Sequence, residues 1–122
     1  MQINVQSHGF GLTDSLRAQT ERRVRFALGA RGDRVHTVSI RLGDDNGPRG
    51  GVDKRCTVRV HLAGMAPVIV AQQDTDLYAA IDMAADRAGH AVARRLKRAS
   101  RIQRPARISQ HSREERSEED SD

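Results

Sequence analysis

Cys56 is the only cysteine in the 122 residues, so no internal disulfide and no cysteine-rich zinc site can form, which suits a reducing compartment. Tryptophan is absent, and Phe10, Phe26 and Tyr78 are the only aromatic residues. No apolar run approaches the roughly 20 residues needed to span a bilayer. The opening Met1-Gln2-Ile3-Asn4 lacks the basic and apolar regions of a signal peptide. These absences predict a soluble cytoplasmic protein with a single core, no membrane partner and little capacity for stacking on bases.

Charge is what the sequence has in quantity. Residues 1–98 carry 16 basic against 10 acidic side chains, whereas residues 99–122 carry 5 against 6. Only Lys54 and Lys97 are lysines. The planar guanidinium of arginine pairs with phosphate through two parallel hydrogen bonds and sheds water more readily than an ammonium, so an arginine-dominated surface favours phosphate-rich partners. A GC-rich coding sequence with charges that only solvate the surface would give the same composition, and position along the chain has to separate the two.

Ile3 and Val5 alternate with Gln2, Asn4 and Gln6, the period of a half-buried strand ending near His8. Thr13 can cap a helix whose apolar stripe is Leu16, Thr20, Val24 and Ala27 or Leu28, and Gly29 should end it. Two amphipathic strands follow. In Val35 to Leu42 the inward set is His36, Val38, Ile40 and Leu42; in Lys54 to Leu62 it is Cys56, Val58, Val60 and Leu62. The glycine-rich stretch 43–51 between them is too long for a tight hairpin and is expected to be mobile. After a shorter turn at 63–66, Pro67 opens a fourth strand, Val68 to Gln73, and fits an edge position.

Asp74 or Asp76 then caps a long helix with the stripe Tyr78, Ile81, Ala85, Ala88, Val92 and Leu96, fraying near Ser100. From residue 99 onward the chain is expected to be a disordered mixed-charge tail, lacking apolar surface to offset its ordering entropy. The order β-α-β-β-β-α predicts an α+β domain over residues 1–98: a four-stranded sheet with two helices packed on one face. The other face would display Arg41, Arg55, Thr57, Arg59 and His61.

No enzymatic motif stands out. Gly29-Ala30-Arg31-Gly32 has the GxxG form of a nucleic-acid clamp but reads better as a helix terminator. Asp44, Asp45 and Asn46 lack the glutamate that closes a calcium loop. The five histidines have no metal-ligand spacing, and Cys56 faces inward as a small apolar group. The chain is therefore read as a non-enzyme without metal, cofactor or small-molecule substrate.

With Tyr78 placed in the core, recognition of splayed single-stranded bases is disfavoured. Contact with phosphates and 2′-hydroxyls of folded RNA remains. Arg22 and Arg25 lie off the apolar stripe of the first helix with Arg23 at its flank. On the last helix Arg87, His90, Arg94 and Lys97 succeed one another at +3, +4 and +3, a basic line of roughly 15 Å.

The element order, the first helix Thr13-Asp14-Ser15-Leu16-Arg17 with Glu21-Arg22-Arg23-Val24, and above all Asp76-Leu77-Tyr78-Ala79-Ala80-Ile81-Asp82 with Asp86-Arg87 resemble the bacterial ribosome hibernation-promoting factor and ribosome-associated inhibitor A family. The resemblance covers about residues 1–98. It implies a fold like that of double-stranded-RNA-binding domains and a translation inhibitor that binds 16S rRNA of the small ribosomal subunit in the mRNA and tRNA channel. It maps the family's basic positions onto Arg22 and Arg23, onto Arg87, and onto Arg94, Arg95, Lys97 and Arg98. His90-Ala91-Val92 stands where many relatives carry Arg-Gln-Leu. Nothing after Ser100 matches the second, dimerising domain of long relatives, so a monomer is expected. The rival readings are a protein-binding regulator such as a sigma-factor modulator, which needs an apolar docking patch, and an enzyme acting on ribosomal components, which needs a pocket of perturbed acids or bases.

Overall fold

The computed structural model describes residues 1–44 and 53–102, with side chains described to residue 100. Most of the glycine-rich connection after Gly43 and most of the expected tail lie outside the described residues. The elements are β1 (Gln2–His8), α1 (Asp14–Leu28), a 3-10 turn (Gly29–Arg34), β2 (Val35–Asp44), β3 (Lys54–Leu62), β4 (Val68–Asp74) and α2 (Leu77–Ile102). The sheet order is β1-β2-β3-β4. β1 pairs parallel with β2, and the other two pairings are antiparallel. β4 is an edge, as Pro67 at its threshold requires.

The inward residues form ladders across the sheet. Val5 lies beside Ile40, Ile40 opposite Val58, and Val58 opposite Val70; Ile3, Val38, Val60 and Val68 form the next rung. All but Ile3 are buried. β-branched residues suit this half-buried pleated surface because their stiff side chains pack against cross-strand neighbours.

Thr13 caps α1 by accepting a hydrogen bond from the Leu16 amide at 3.1 Å. Leu16, Thr20, Val24 and Leu28 are buried. The Thr20 hydroxyl satisfies itself by donating to the Leu16 carbonyl at 2.8 Å. α1 ends at Gly29, whose φ of 54° suits a residue without Cβ. The Gly29-to-Gly32 motif is thus a terminator leading into the 3-10 turn. At the start of α2 the Asp76 carboxylate accepts from the Tyr78 amide at 3.2 Å, and Asp74 accepts from the Asp76 amide at 3.0 Å. Asp76 caps the helix while Asp74 fixes the approach to it. α2 runs to Ile102, slightly past the expected fraying point.

The helices share one face of the sheet and run parallel, since Arg23 meets Asp82 and Asp86 while Ala27 meets Gly89. Their approach is close because α2 buries small residues: Ala80, Ala84, Ala85 and Ala88 join Ile81 and Val92 in the core. A Cβ on Gly89 would come within 2.6 Å of the Ala27 carbonyl oxygen.

Two expected core residues are not there. His36 is exposed and Val35 is buried, because a register irregularity between Val35 and Thr37 inserts one residue and turns His36 outward. Tyr78 is 46% exposed. It sits on the shoulder of α2 that faces the flank of α1 rather than the sheet. Leu96 is partly buried against the core.

Candidate nucleic-acid interface

The structure brings the basic residues of the two helices onto one layer but distributes them unevenly. Arg22 and Arg25 project from α1 and are exposed. Arg23, between them, lies in the seam with α2. Its Nε donates to Asp82 at 3.0 Å and its Nη2 to Asp86 at 2.7 Å. Chiefly through the Asp86 hydrogen bond, against an opposing desolvation, these carboxylates raise the guanidinium above its ordinary pKa. The buried Nη1 has no hydrogen-bond partner among the described residues.

On α2, Arg87, His90, Arg94, Lys97 and Arg98 are exposed, while Arg95 is half-buried. Arg87 donates to the Gln72 side chain on β4. Arg95 reaches the Ala66 carbonyl in the β3–β4 turn at 2.6 Å. These two contacts direct Arg87 and Arg95 toward the β4 side, leaving His90, Arg94 and Lys97 outward. From Arg87 to Ser100 the helix contains no carboxylate, whereas Asp82 and Asp86 occupy its N-terminal half. The basic line is therefore continuous toward the C-terminus of α2 and is crossed by acid where α1 lies alongside. Cations at the C-terminal end also complement the negative end of the helix dipole.

The seam holds a feature that residue spacing did not reveal. A crevice of about 290 Å³ is lined by Gln19, Arg22, Arg23, Phe26, Tyr78, Ile81 and Asp82. Phe26 is 80% exposed at its rim. The i, i+4 carboxylate pair of Asp82 and Asp86 was the available signal for the Arg23 contacts; nothing local signals the crevice, because it forms between helices.

The opposite sheet face is as expected. Arg41, Arg55 and Arg59 are exposed on it, with Thr57 and His61 half-buried. At one end of the sheet Lys54 pairs with Asp44 and with buried Asp53, both at 3.2 Å. Desolvation opposes its charge, but the hydrogen bonds that its ammonium donates to Asp44 and Asp53 prevail and raise its pKa.

A four-stranded mixed sheet in the order β-α-β-β-β-α, backed by two parallel helices, defines a small α+β domain whose cations are mainly arginines. Residues 3–100 match the family described as sigma 54 modulation protein / S30EA ribosomal protein, and the chain belongs to that family. It is 29% identical over 87 residues, 71% of this chain and 75% of the relative, to a ribosome hibernation promoting factor of Azotobacter vinelandii. Its fold matches a ribosomal subunit interface protein from Coxiella burnetii with a TM-score of 0.68 at 18% identity, covering 80% of this chain and 99% of that one. The N-terminal domain of Thermus thermophilus Protein Y gives a TM-score of 0.63 at 28% identity, covering 77% and 98%.

Proposed function

We propose that this chain is a ribosome-binding translation inhibitor that sits on 16S rRNA of the small subunit, in the channel used by mRNA and tRNA, and keeps idle ribosomes inactive. The observation that carries this reading is the acid-free stretch of α2 from Arg87 to Arg98, joined on the same layer by exposed Arg22 and Arg25 of α1, which lie level with the N-terminal half of α2. Family membership and likeness to a hibernation promoting factor support it.

In this reading the arginines neutralise rRNA phosphates and the packed core fixes their separation, so binding is bought by counterion release rather than by an adaptable surface. Arg22, Arg25, His90, Arg94, Lys97 and Arg98 make the outward contacts. Arg23, Arg87 and Arg95 contribute charge while also tying the helices to each other and to the sheet. Occupancy of the channel excludes tRNA and mRNA. No bond is made or broken, and the domain acts in the cytoplasm as a monomer without cofactor.

The second reading is a regulator that binds a protein, and the exposed Phe26 and Tyr78 at the interhelical crevice favour it. Co-sedimentation with 30S subunits at about 50 and 200 mM salt separates the two, because phosphate contacts lose orders of magnitude in affinity over that range whereas an apolar docking contact does not. Charge reversal at Arg22, Arg25, Arg94 and Lys97 together is expected to abolish sedimentation with little change in melting. Full retention of binding by that variant overturns the proposed surface.

A further inference from the structure

The open face of the sheet, remote from both helices, carries a shallow groove of about 1100 Å³. Arg17, Arg41 and Arg59 line it together with Gln6, Ser39 and Thr57. The register explains the cluster. Arg41 lies opposite Thr57 and Arg59 opposite Ser39, so the two arginines are diagonal neighbours on adjacent strands, roughly 7–8 Å apart at their backbones. Arg17 joins them from α1 around the β1 edge, where its Nη1 donates to the Val5 carbonyl at 3.3 Å.

Among the described residues lining this groove there is no carboxylate and no Phe, Tyr or Trp, and His8 at the end of β1 supplies the one imidazole. Like charges set diagonally on one sheet face repel, and a polyanion relieves that repulsion. Planar guanidinium groups beside hydroxyl and amide side chains match phosphates and 2′-hydroxyls, whereas a single imidazole, His8, makes no platform for successive bases.

We infer that this groove is a second RNA-backbone site, taking a duplex segment of RNA different from the one held by the helices. The inference rests on the function proposed above and deepens it. The sheet separates the two surfaces, so a single straight duplex cannot lie along both, and the domain is clamped between two RNA segments rather than resting on one.

The full chain is tested against short RNA duplexes of roughly 16 base pairs, a length that spans two successive minor grooves. Energy transfer between donor-labelled and acceptor-labelled duplexes reports bridging, and anisotropy across about 50–200 mM salt reports the number of phosphate contacts. Wild type is expected to bring the two labels together. Arg41→Gln/Arg59→Gln is expected to abolish the transfer, to retain one bound duplex, and to flatten the log-log salt slope of total binding by about one to two. Melting of that variant should match wild type. An unchanged slope and unchanged transfer in Arg41→Gln/Arg59→Gln, with binding lost in the variant of the helix face, overturns the sheet site and leaves the proposed function standing. Absence of both duplex binding and ribosome sedimentation in wild type overturns the function and this inference with it. A polyglutamate of equal charge displacing RNA from the groove as well as a competing duplex does also overturns the RNA assignment.

Discussion

Arg23 of α1 holds two carboxylates of α2 at once, Asp86 at 2.7 Å and Asp82 at 3.0 Å. The three side chains close the seam between the helices at the point where an uninterrupted positive surface would otherwise cross from one to the other. Both carboxylates are well exposed, so solvent screens the pairs and their contribution to stability is about 1 kcal/mol or less. Their effect on a polyanion is larger in proportion, because they place negative charge beside Arg22. Asp82→Asn/Asp86→Asn is expected to lower the melting temperature by a few degrees at most and to strengthen RNA-duplex binding several-fold, with a steeper salt dependence. Affinity unchanged or reduced in that variant, measured by anisotropy, would show that the carboxylates do not oppose RNA.

Gly89 sets how near the helices lie. A Cβ there meets the Ala27 backbone oxygen at 2.6 Å, and a carbonyl cannot swing aside as a flexible side chain can. Gly89→Ala gains helix propensity of about 1 kcal/mol yet forces α1 and α2 apart, at an overpacking cost of about 1–3 kcal/mol. Net destabilisation is expected, and the same displacement should break the Arg23 contacts. Thermal unfolding checks the first effect; a Gly89→Ala protein that melts above wild type would place the helices farther apart than described.

Much of this arrangement is legible in the residues because the core is periodic. The inward set of β3 and the buried stripe of α1 follow directly from alternation at two and at about 3.6 residues, and the sheet face bearing Arg41, Arg55 and Arg59 follows by default. What escapes is set by tertiary pairing. A single extra residue at the start of β2 reverses the roles of Val35 and His36, and no local signal marks that irregularity. Tyr78 fits the helical period well enough to look buried, but α1 covers only one flank of α2 at that turn. The spacing of Arg87, His90, Arg94 and Lys97 gives a line, not the neighbours that cross it.

The β2 irregularity has a direct consequence. Val35 is 4% exposed within the core cluster, so Val35→Ala removes buried methyl groups and is expected to cost about 2 kcal/mol or more. His36→Ala acts on an exposed side chain and should stay within about 0.5 kcal/mol. Urea unfolding of the two variants decides between the observed register and the regular one, in which the order of the two effects would be reversed.

Cys56 is fully enclosed between Leu42 of β2 and Gln72 of β4, its cross-strand partners. Burial pushes its thiol from 9.0 up to about 12, because a thiolate there would lack solvation. The native protein should therefore resist alkylation at pH 8, and the slow residual rate should follow the population of opened molecules. The same shift ties stability to alkaline pH. Below about pH 9 both folded and unfolded chains keep the thiol proton, and the thiol introduces no pH dependence. Between about 9 and 12 only the unfolded chain gives it up, so stability falls with rising pH, by up to about 4 kcal/mol across the window. Lys54, whose ammonium is also favoured in the folded state, adds to the decline at the upper end as it deprotonates. Cys56→Ala should be somewhat less stable at neutral pH but lose less on going from pH 9 to pH 11, leaving the part due to Lys54. Parallel alkaline limbs for wild type and Cys56→Ala in denaturant titrations would mean that the thiolate is solvated in the native protein and that the β2–β4 interior is open to water.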